Sequence, residues 1–318
     1  MVSLGRNAYQ PRGATSAGGD LLVWNQGVEH GYSVAIATRS RGGDWVFPRV
    51  DDLVAAPVLF SNAPMPALNA AGYAVVAWFQ SLGDVLRISM SERESPSDAF
   101  RKARESDVLS PPHTLAMHPC PTIHGSGSAA VGWIQETRDH QWVLMLATRT
   151  SDGAWRLPED LSEAMAHNLP ATGKPIAIFT PNGALHLIWT EGDDQLRRVW
   201  WRRRTPDGRW QDTLPLSPVD GFAIEPSAVA AERGLVTAWR ERLNGVFVIR
   251  VRALDQDGAA WHGAATLSAG LDGEAGPPAL AVGGPDSTAV VAWRQGDTRV
   301  GAVHSATLER AVGPTLDD

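Results

Sequence analysis

A single cysteine, Cys120, stands in 318 residues. No intrachain disulfide can therefore brace the chain. That suits a reducing compartment, and a disulfide-free secreted protein equally. Long apolar runs are missing too. The longest, YAVVAWF at 73–79, is far too short to cross a bilayer, so no membrane insertion is expected. The N-terminal MVSLGRNAYQ has no apolar h-region, so no signal peptide is visible, and a soluble cytoplasmic protein best fits the sequence as it stands. Excess positive charge is absent: 28 Lys and Arg face 35 Asp and Glu, a net charge of −7. This argues against a general nucleic-acid or anionic-membrane binder. No segment sustains a helical period with caps, apart from a turn near SEAMAHN at 162–168. The nine histidines lack paired metal-ligand spacing, and no phosphate-binding glycine loop opens a helix. No cofactor or metal is expected. Tyrosine (3) and phenylalanine (7) are scarce, yet tryptophan reaches 13, so some repeated feature uses it.

That feature is a repeat. Trp24, Trp78, Trp133, Trp189, Trp239 and Trp293 lie 54, 55, 56, 50 and 54 residues apart, and AVVAWFQ at 74–80 returns as AVVAWRQ at 289–295. Gln or Glu follows each Trp by two residues. A proline precedes it by 12 to 15: Pro11, Pro66, Pro121, Pro175, Pro226 and Pro278. Another aromatic follows by 21 or 22 in five copies: Trp45, Phe100, Trp155, Trp210 and Trp261. Three copies then share a Leu-Ser pair, in WRLPEDLS, WQDTLPLS and WHGAATLS.

Each copy reads as four short strands, runs of Val, Ile and Trp broken by Gly, Asp and Asn turns. Six copies of about fifty residues predict an all-β chain, one six-bladed β-propeller of four-stranded antiparallel blades spanning 1–318. The blades fall near 9–60, 61–115, 116–170, 171–220, 221–272 and 273–318. The first strands are rich in small residues, as crowding round an axis requires. The second-strand Trp then fills the wedge between blades. One buried Trp removes up to about 200 Å² from water, worth at most about 5 kcal/mol. The Gln or Glu two residues on shares its face and is expected to satisfy backbone groups nearby. The repeats are nearly in phase with the termini, so closure uses either no shared strand or Val2–Leu4 against a last blade finishing near Leu316.

The turns RTSDGAW (149–155), RTPDGRW (204–210) and DQDGAAW (255–261) resemble degenerate Asp-boxes, the S-x-D-x-G-x-x-W turn of the sialidase superfamily. In that turn Asp bonds the backbone and Gly takes φ > 0. The whole chain thus resembles bacterial Asp-box propellers. In length, blade count and aromatic spacing it is also similar to six-bladed fungal fucose-binding lectins. The sequence departs from both at the functional residues. Sialidases carry Arg-Ile-Pro on the first strand, whereas here the stretch is YQPR and Arg12 follows the proline. Tyr9, Tyr32 and Tyr73 all fall early, while the family's tyrosine nucleophile falls late. The Arg and Glu positions of the fucose lectins are mostly apolar or Arg here. The resemblance implies the architecture more than either activity.

Strand alternation names a candidate channel face. Leu68, Ile123, Ala177, Ala228 and Leu280 have outward parity. The opposite parity holds Gln10, Met65, Cys120, Lys174 and Glu225 before the prolines, and Arg12, Asn69, Thr122, His124 and Ser227 after them. A scaffold that repeats its core and varies one polar ring is built to carry a site. Lys174 and Glu225 provide a cation and an acid or base, or a salt bridge with each other. Cys120 as a nucleophile needs a base, and His124, four residues along the same strand, is out of reach. Arg240, Arg242 and Arg294, near the second-strand ends, are candidates for carboxylate or phosphate recognition, or for pairing with Glu241 and Asp297. RRVWWRRR at 197–204 reads better as an edge with Arg stacked on Trp than as a nucleic-acid surface. DQDG at 255–258 reads as a turn rather than a calcium loop. The charged segment 91–107 reads as a long exposed turn.

Three functions stay open. The leading one is a lectin-like or small-ligand-binding propeller holding a carbohydrate or anionic small molecule. The second is a channel-mouth enzyme, glycosidase-like, lyase or cyclase, using Glu225 and Lys174. The third is a protein-interaction scaffold.

Overall fold

In the computed structural model, residues 7–55, 58, 60–156, 158–161, 171–218, 220–232, 234–256, 264–283, 288–297 and 301–308 are described. SEAMAHN, Trp261, Val2–Leu4 and Leu316 lie outside them. Among the described residues no helix is long and apolar enough to cross a membrane.

Each repeat makes one antiparallel sheet with strands in chain order, so the fold is a six-bladed β-propeller. Blade one comprises Ala8–Ser16, Gly19–Val28, Gly31–Arg39 and Trp45–Val46. Blade two has Ser61–Leu68, Ala74–Leu82 and Val85–Arg93. Blade three has Ala116–Ile123, Ala129–Glu136, Trp142–Arg149 and Glu159–Asp160. Blade four has Ala171–Phe179, Leu185–Gly192, Arg197–Arg204 and Leu214–Pro215. Blade five has Ala223–Ala231, Gly234–Leu243, Val246–Asp255 and Ala265–Thr266. Blade six has Ala279–Gly283, Thr288–Gly296 and Gly301–Leu308. The chain divides into two compact units, Met1–Glu163 with blades one to three and Ala164–Asp318 with blades four to six.

Among the described residues two of the sheets have three strands. In blade six the segment after Leu308 lies outside the described residues. In blade two the fourth strand shrinks to one bridge, Ser89 to Val108. The Leu-Ser pair explains how that blade still closes. In blade four the Leu216 N–H donates to the Val199 carbonyl and Ser217 Oγ accepts the Val199 N–H. Leu267 and Ser268 repeat this on Ile249, and Leu109 and Ser110 repeat it on Ile88. Blade two thus has its own Leu-Ser pair, displaced by the charged insertion. That insertion is not a free turn. Phe100 and Ala103 pack on the core shared by blades one and two, and the Ala103 N–H donates to the Val54 carbonyl.

Three of the tryptophans fill wedges between neighbouring blades of one unit. Trp78 packs with Leu21 and Val23 of blade one, Trp239 with Ile188 and Val199 of blade four, and Trp293 with Val236 and Ile249 of blade five. The residue two positions on has a more specific task than expected. In all six blades its side-chain oxygen accepts the indole N–H: Gln26, Gln80, Gln135, Glu191, Glu241 and Gln295, at 2.6 to 3.1 Å. A buried N–H left unmade would cost about 1–3 kcal/mol. The pair of letters W-x-Q/E is therefore one unit, a large apolar wedge carrying its own acceptor.

Candidate functional site

The first strands contain the feature that sequence alternation misses. Five of them break register with their second strand, between Tyr9 and Arg12, Asn62 and Met65, Met117 and Cys120, Thr172 and Ile176, and Ile224 and Ser227. Each break is a bulge around one residue with left-handed φ: Gln10 (55°), Ala63 (48°), His118 (58°), Gly173 (73°) and Glu225 (53°). Four of these five are not glycine, and each of the four is followed by proline, which disfavours such a conformation further. Bulges re-aim a side chain, and strain of about 1–3 kcal/mol persists only where its surroundings enforce it.

The bulges correct the ring of candidate residues. The structural counterparts of Pro11 are Pro64, Pro119, Pro175 and Pro226, not Pro66 and Pro121, and the blade-four bulge holds one residue more than the others. Met65 and Cys120 stand opposite Ala77 and Gly132, as Arg12 stands opposite Val23 and Ser227 opposite Ala238. These four occupy the same position of the repeat, as does Ile176, opposite Ile188, in blade four. Gln10, Lys174 and Glu225 sit within the bulges instead. Thr122 and Cys120 are buried along the blade-three strand. Asn69 and His124 lie at the other end of their blades, in the turns between first and second strands. Asn69 there accepts the Tyr73 N–H and donates to the His124 carbonyl, while His124 Nδ1 contacts Ser126 Oγ at 2.8 Å.

At the upper end, where first strands begin and second strands meet third strands, three bulge residues meet a residue that directly follows a repeat Trp. In the first unit Gln10 Oε1 accepts from Asn25 Nδ2 (3.2 Å) and from the Ala63 N–H (3.0 Å). His118 meets Phe79 edge-on at 6.2 Å. In the second unit Glu225 Oε2 accepts from Arg240 Nη1 at 2.7 Å. Glu225 thus pairs with Arg240 of its own blade. Arg294 donates to the Asp297 carbonyl. Arg12 is exposed and donates to the Pro11 carbonyl. Lys174, also exposed, directly follows Gly173. Ala63 and His118 were not named from the sequence. Their signal was a residue before proline at one place in each repeat, hidden by the doubled prolines P-M-P and P-C-P.

Further out at this end of the second unit, two rings and three guanidinium groups alternate. Arg197 lies over Phe222 at 5.5 Å, and Arg242 lies over Phe222 at 4.6 Å and Phe247 at 4.9 Å. Arg240 lies over Phe247 at 4.1 Å. The Arg242 N–H also donates to the Phe222 carbonyl, tying the loop to the strand.

The lower end carries structural networks. Glu92 accepts from the Tyr73 hydroxyl (2.9 Å), Trp155 Nε1 (3.2 Å) and Arg101 (3.0 Å), and Arg149 Nε approaches at 3.5 Å. Burial first, and Glu92 second, push the Tyr73 hydroxyl well above its ordinary range, the reverse of an activated nucleophile. In the turns after the third strands, Asp152 accepts from Thr150 and from the Ala154 N–H, and Gly153 takes φ 94°. Asp207 accepts from Thr205, and Gly208 takes φ 91°. These bonds, led by the threonine hydroxyls, lower both carboxyl pKa values. In RRVWWRRR, Arg202 and Arg204 stack on Trp210 at 5.0 and 5.6 Å, and Arg203 is buried. Among the described residues no cluster of three His, Cys, Asp or Glu could hold a metal ion.

No protein-family model matches the sequence, and no curated protein matches it. Solved structures do resemble its fold. The polysaccharide lyase Uly1 superposes with a TM-score of 0.59 at 9% identity, covering 95% of this chain and 77% of the lyase. The GH93 α-L-arabinofuranosidase of Fusarium graminearum, bound to arabinobiose, gives 0.54 at 14% identity, covering 95% and 93%. The microbial sialidase Hz136 gives 0.53 at 14% identity, covering 95% and 66%.

Proposed function

We propose that this chain is a lectin-like, carbohydrate-binding β-propeller. Its ligand contacts come from the bulged first strands and the second-strand ends beside them. The repeated bulge carries the reading. Glycine would adopt its left-handed conformation at no steric cost, as Gly173 does, yet four blades place Gln, Ala, His or Glu there before proline. The scaffold keeps the strained geometry and varies the side chain it presents. Among the described residues, Gln10 uses its oxygen twice and Nε2 has no partner, while Glu225 uses Oε2 and Oε1 has none. A spare donor and a spare acceptor on rigid strands suit hydroxyl groups. The solved structures that share the fold include an α-L-arabinofuranosidase in complex with arabinobiose, a polysaccharide lyase described as an ulvan lyase, and a sialidase, which supports a glycan as the ligand class.

The enzymatic alternative rests on Glu225 as acid or base with Lys174. It is less favoured because Glu225 already engages Arg240 at 2.7 Å. A glycan array with wild type, Gln10→Ala, Glu225→Gln and Lys174→Ala separates the readings. Binding should weaken with Gln10→Ala or Glu225→Gln and persist with Lys174→Ala. Binding untouched by both rim changes removes the bulges from the site. Turnover of a bound glycan that Glu225→Gln abolishes replaces the lectin reading with the enzymatic one.

A further inference from the structure

We infer that the Arg242 guanidinium is a carboxylate subsite, so that the glycan bound at this rim is an acidic one bearing uronate groups. The inference rests on the carbohydrate reading above. Five side chains carry it: Arg197, Phe222, Arg242, Phe247 and Arg240, in alternating contact. The two outer arginines are already neutralised, Arg197 by Asp194 at 2.9 Å and Arg240 by Glu225 at 2.7 Å. Arg242 has no carboxylate partner among the described residues; its side-chain contacts are the faces of Phe222 and Phe247.

A guanidinium resting on aromatic faces keeps its in-plane N–H donors available and loses rotamer freedom before any ligand arrives. Its exposed fork matches the two oxygens of a carboxylate in a planar, bidentate pair. Among the described residues, these three arginines and their two carboxylates leave one positive charge uncompensated, which suits a monoanion better than a dianionic phosphate. The stem is fixed as well, because the Arg242 N–H donates to Phe222 at 2.9 Å. The bulge acceptor Glu225 lies next to Arg240 in the same blade, so hydroxyl and carboxylate contacts would be offered side by side.

The test is titration calorimetry of the full chain with trigalacturonate and with its methyl ester, on wild type, Arg242→Lys and Arg242→Gln, with an exposed change at the lower end, Arg209→Gln, as control. Wild type should bind the acid at least about tenfold more tightly than the ester, the loss of one charge-assisted bidentate contact. Arg242→Gln should remove that preference. Arg242→Lys should recover only part of it, since an ammonium neither stacks as a plane nor forks. Thermal melts of each variant establish that it is folded. Equal binding of acid and ester by wild type, or an acid preference that survives Arg242→Gln, overturns the carboxylate subsite. If neutral glycans still bind in that case, the carbohydrate reading stands. If no glycan of any kind binds, both fall.

Discussion

His186 gives the most quantitative handle on this protein. It lies on the second strand of blade four and is fully buried. Its Nδ1 accepts the Trp201 indole N–H at 3.0 Å, so the proton of the neutral ring sits on Nε2, which faces Thr180 Oγ1 at 3.3 Å. Burial, and secondarily the nearby Arg203 charge, lowers its pKa from the ordinary 6.5 to about 3. The unfolded chain takes up a proton near pH 6.5 that the folded chain refuses until about pH 3. Stability is therefore lost as the pH falls through this window, and the loss is complete only below it. Linkage gives a loss of about 2 kcal/mol at pH 5 and about 3 kcal/mol at pH 4 relative to neutral pH. The comparison is with His186→Asn, whose amide oxygen can still accept the indole N–H but cannot titrate. Denaturant unfolding at pH 7, 5 and 4 cancels every other titrating group in the difference between the two proteins. The variant's fixed packing cost should shrink, then reverse or nearly so, as pH falls. A difference that stays constant from pH 7 to pH 4 would falsify the buried neutral histidine.

Other outcomes follow from the same structure. Glu92→Gln removes the charge that Arg101 and Arg149 face and should cost about 3–5 kcal/mol in urea unfolding, with a smaller loss for the exposed Glu94→Gln. Gln80→Leu leaves the buried Trp78 indole without its acceptor and should destabilise by about 1–3 kcal/mol, measurable by denaturant midpoint. Ala63→Gly should raise stability by about 0.5–1 kcal/mol, because relief of left-handed strain outweighs the extra freedom of the unfolded chain. Gly173→Ala should lower it by about 1 kcal/mol through φ alone, since an added Cβ would meet nothing within 4 Å. Equal melting temperatures for these last two variants and wild type would remove the strain from the bulges.

The repeat made most of the fold legible without coordinates. Trp and the Gln or Glu two residues on share one face of any strand, because side chains alternate with period two, so their common face could be read from spacing while the indole bond between them could not. Leu-Ser was legible in three blades and hidden in the second, where an insertion moved it away from its aromatic landmark. The site was less legible for a related reason. One extra residue in a bulge shifts every later side chain to the other face, and nothing in P-M-P or P-C-P says which proline follows the bulge. Cys120 and Met65 therefore looked like counterparts of Gln10, although they stand opposite the residue before Trp, as Arg12 does. The partners of Arg240 and Arg242 were likewise undecided: Glu225 and Phe222 come from the first strand and the loop before it, and Phe247 from the third. Composition and period determined six sheets, each with one wedge tryptophan, whereas the bond from its indole N–H to the Gln or Glu beside it emerged only from the structure. Register, set by left-handed residues ahead of prolines, decided which of the varying side chains meet, because that depends on hydrogen bonds between strands rather than on order along one.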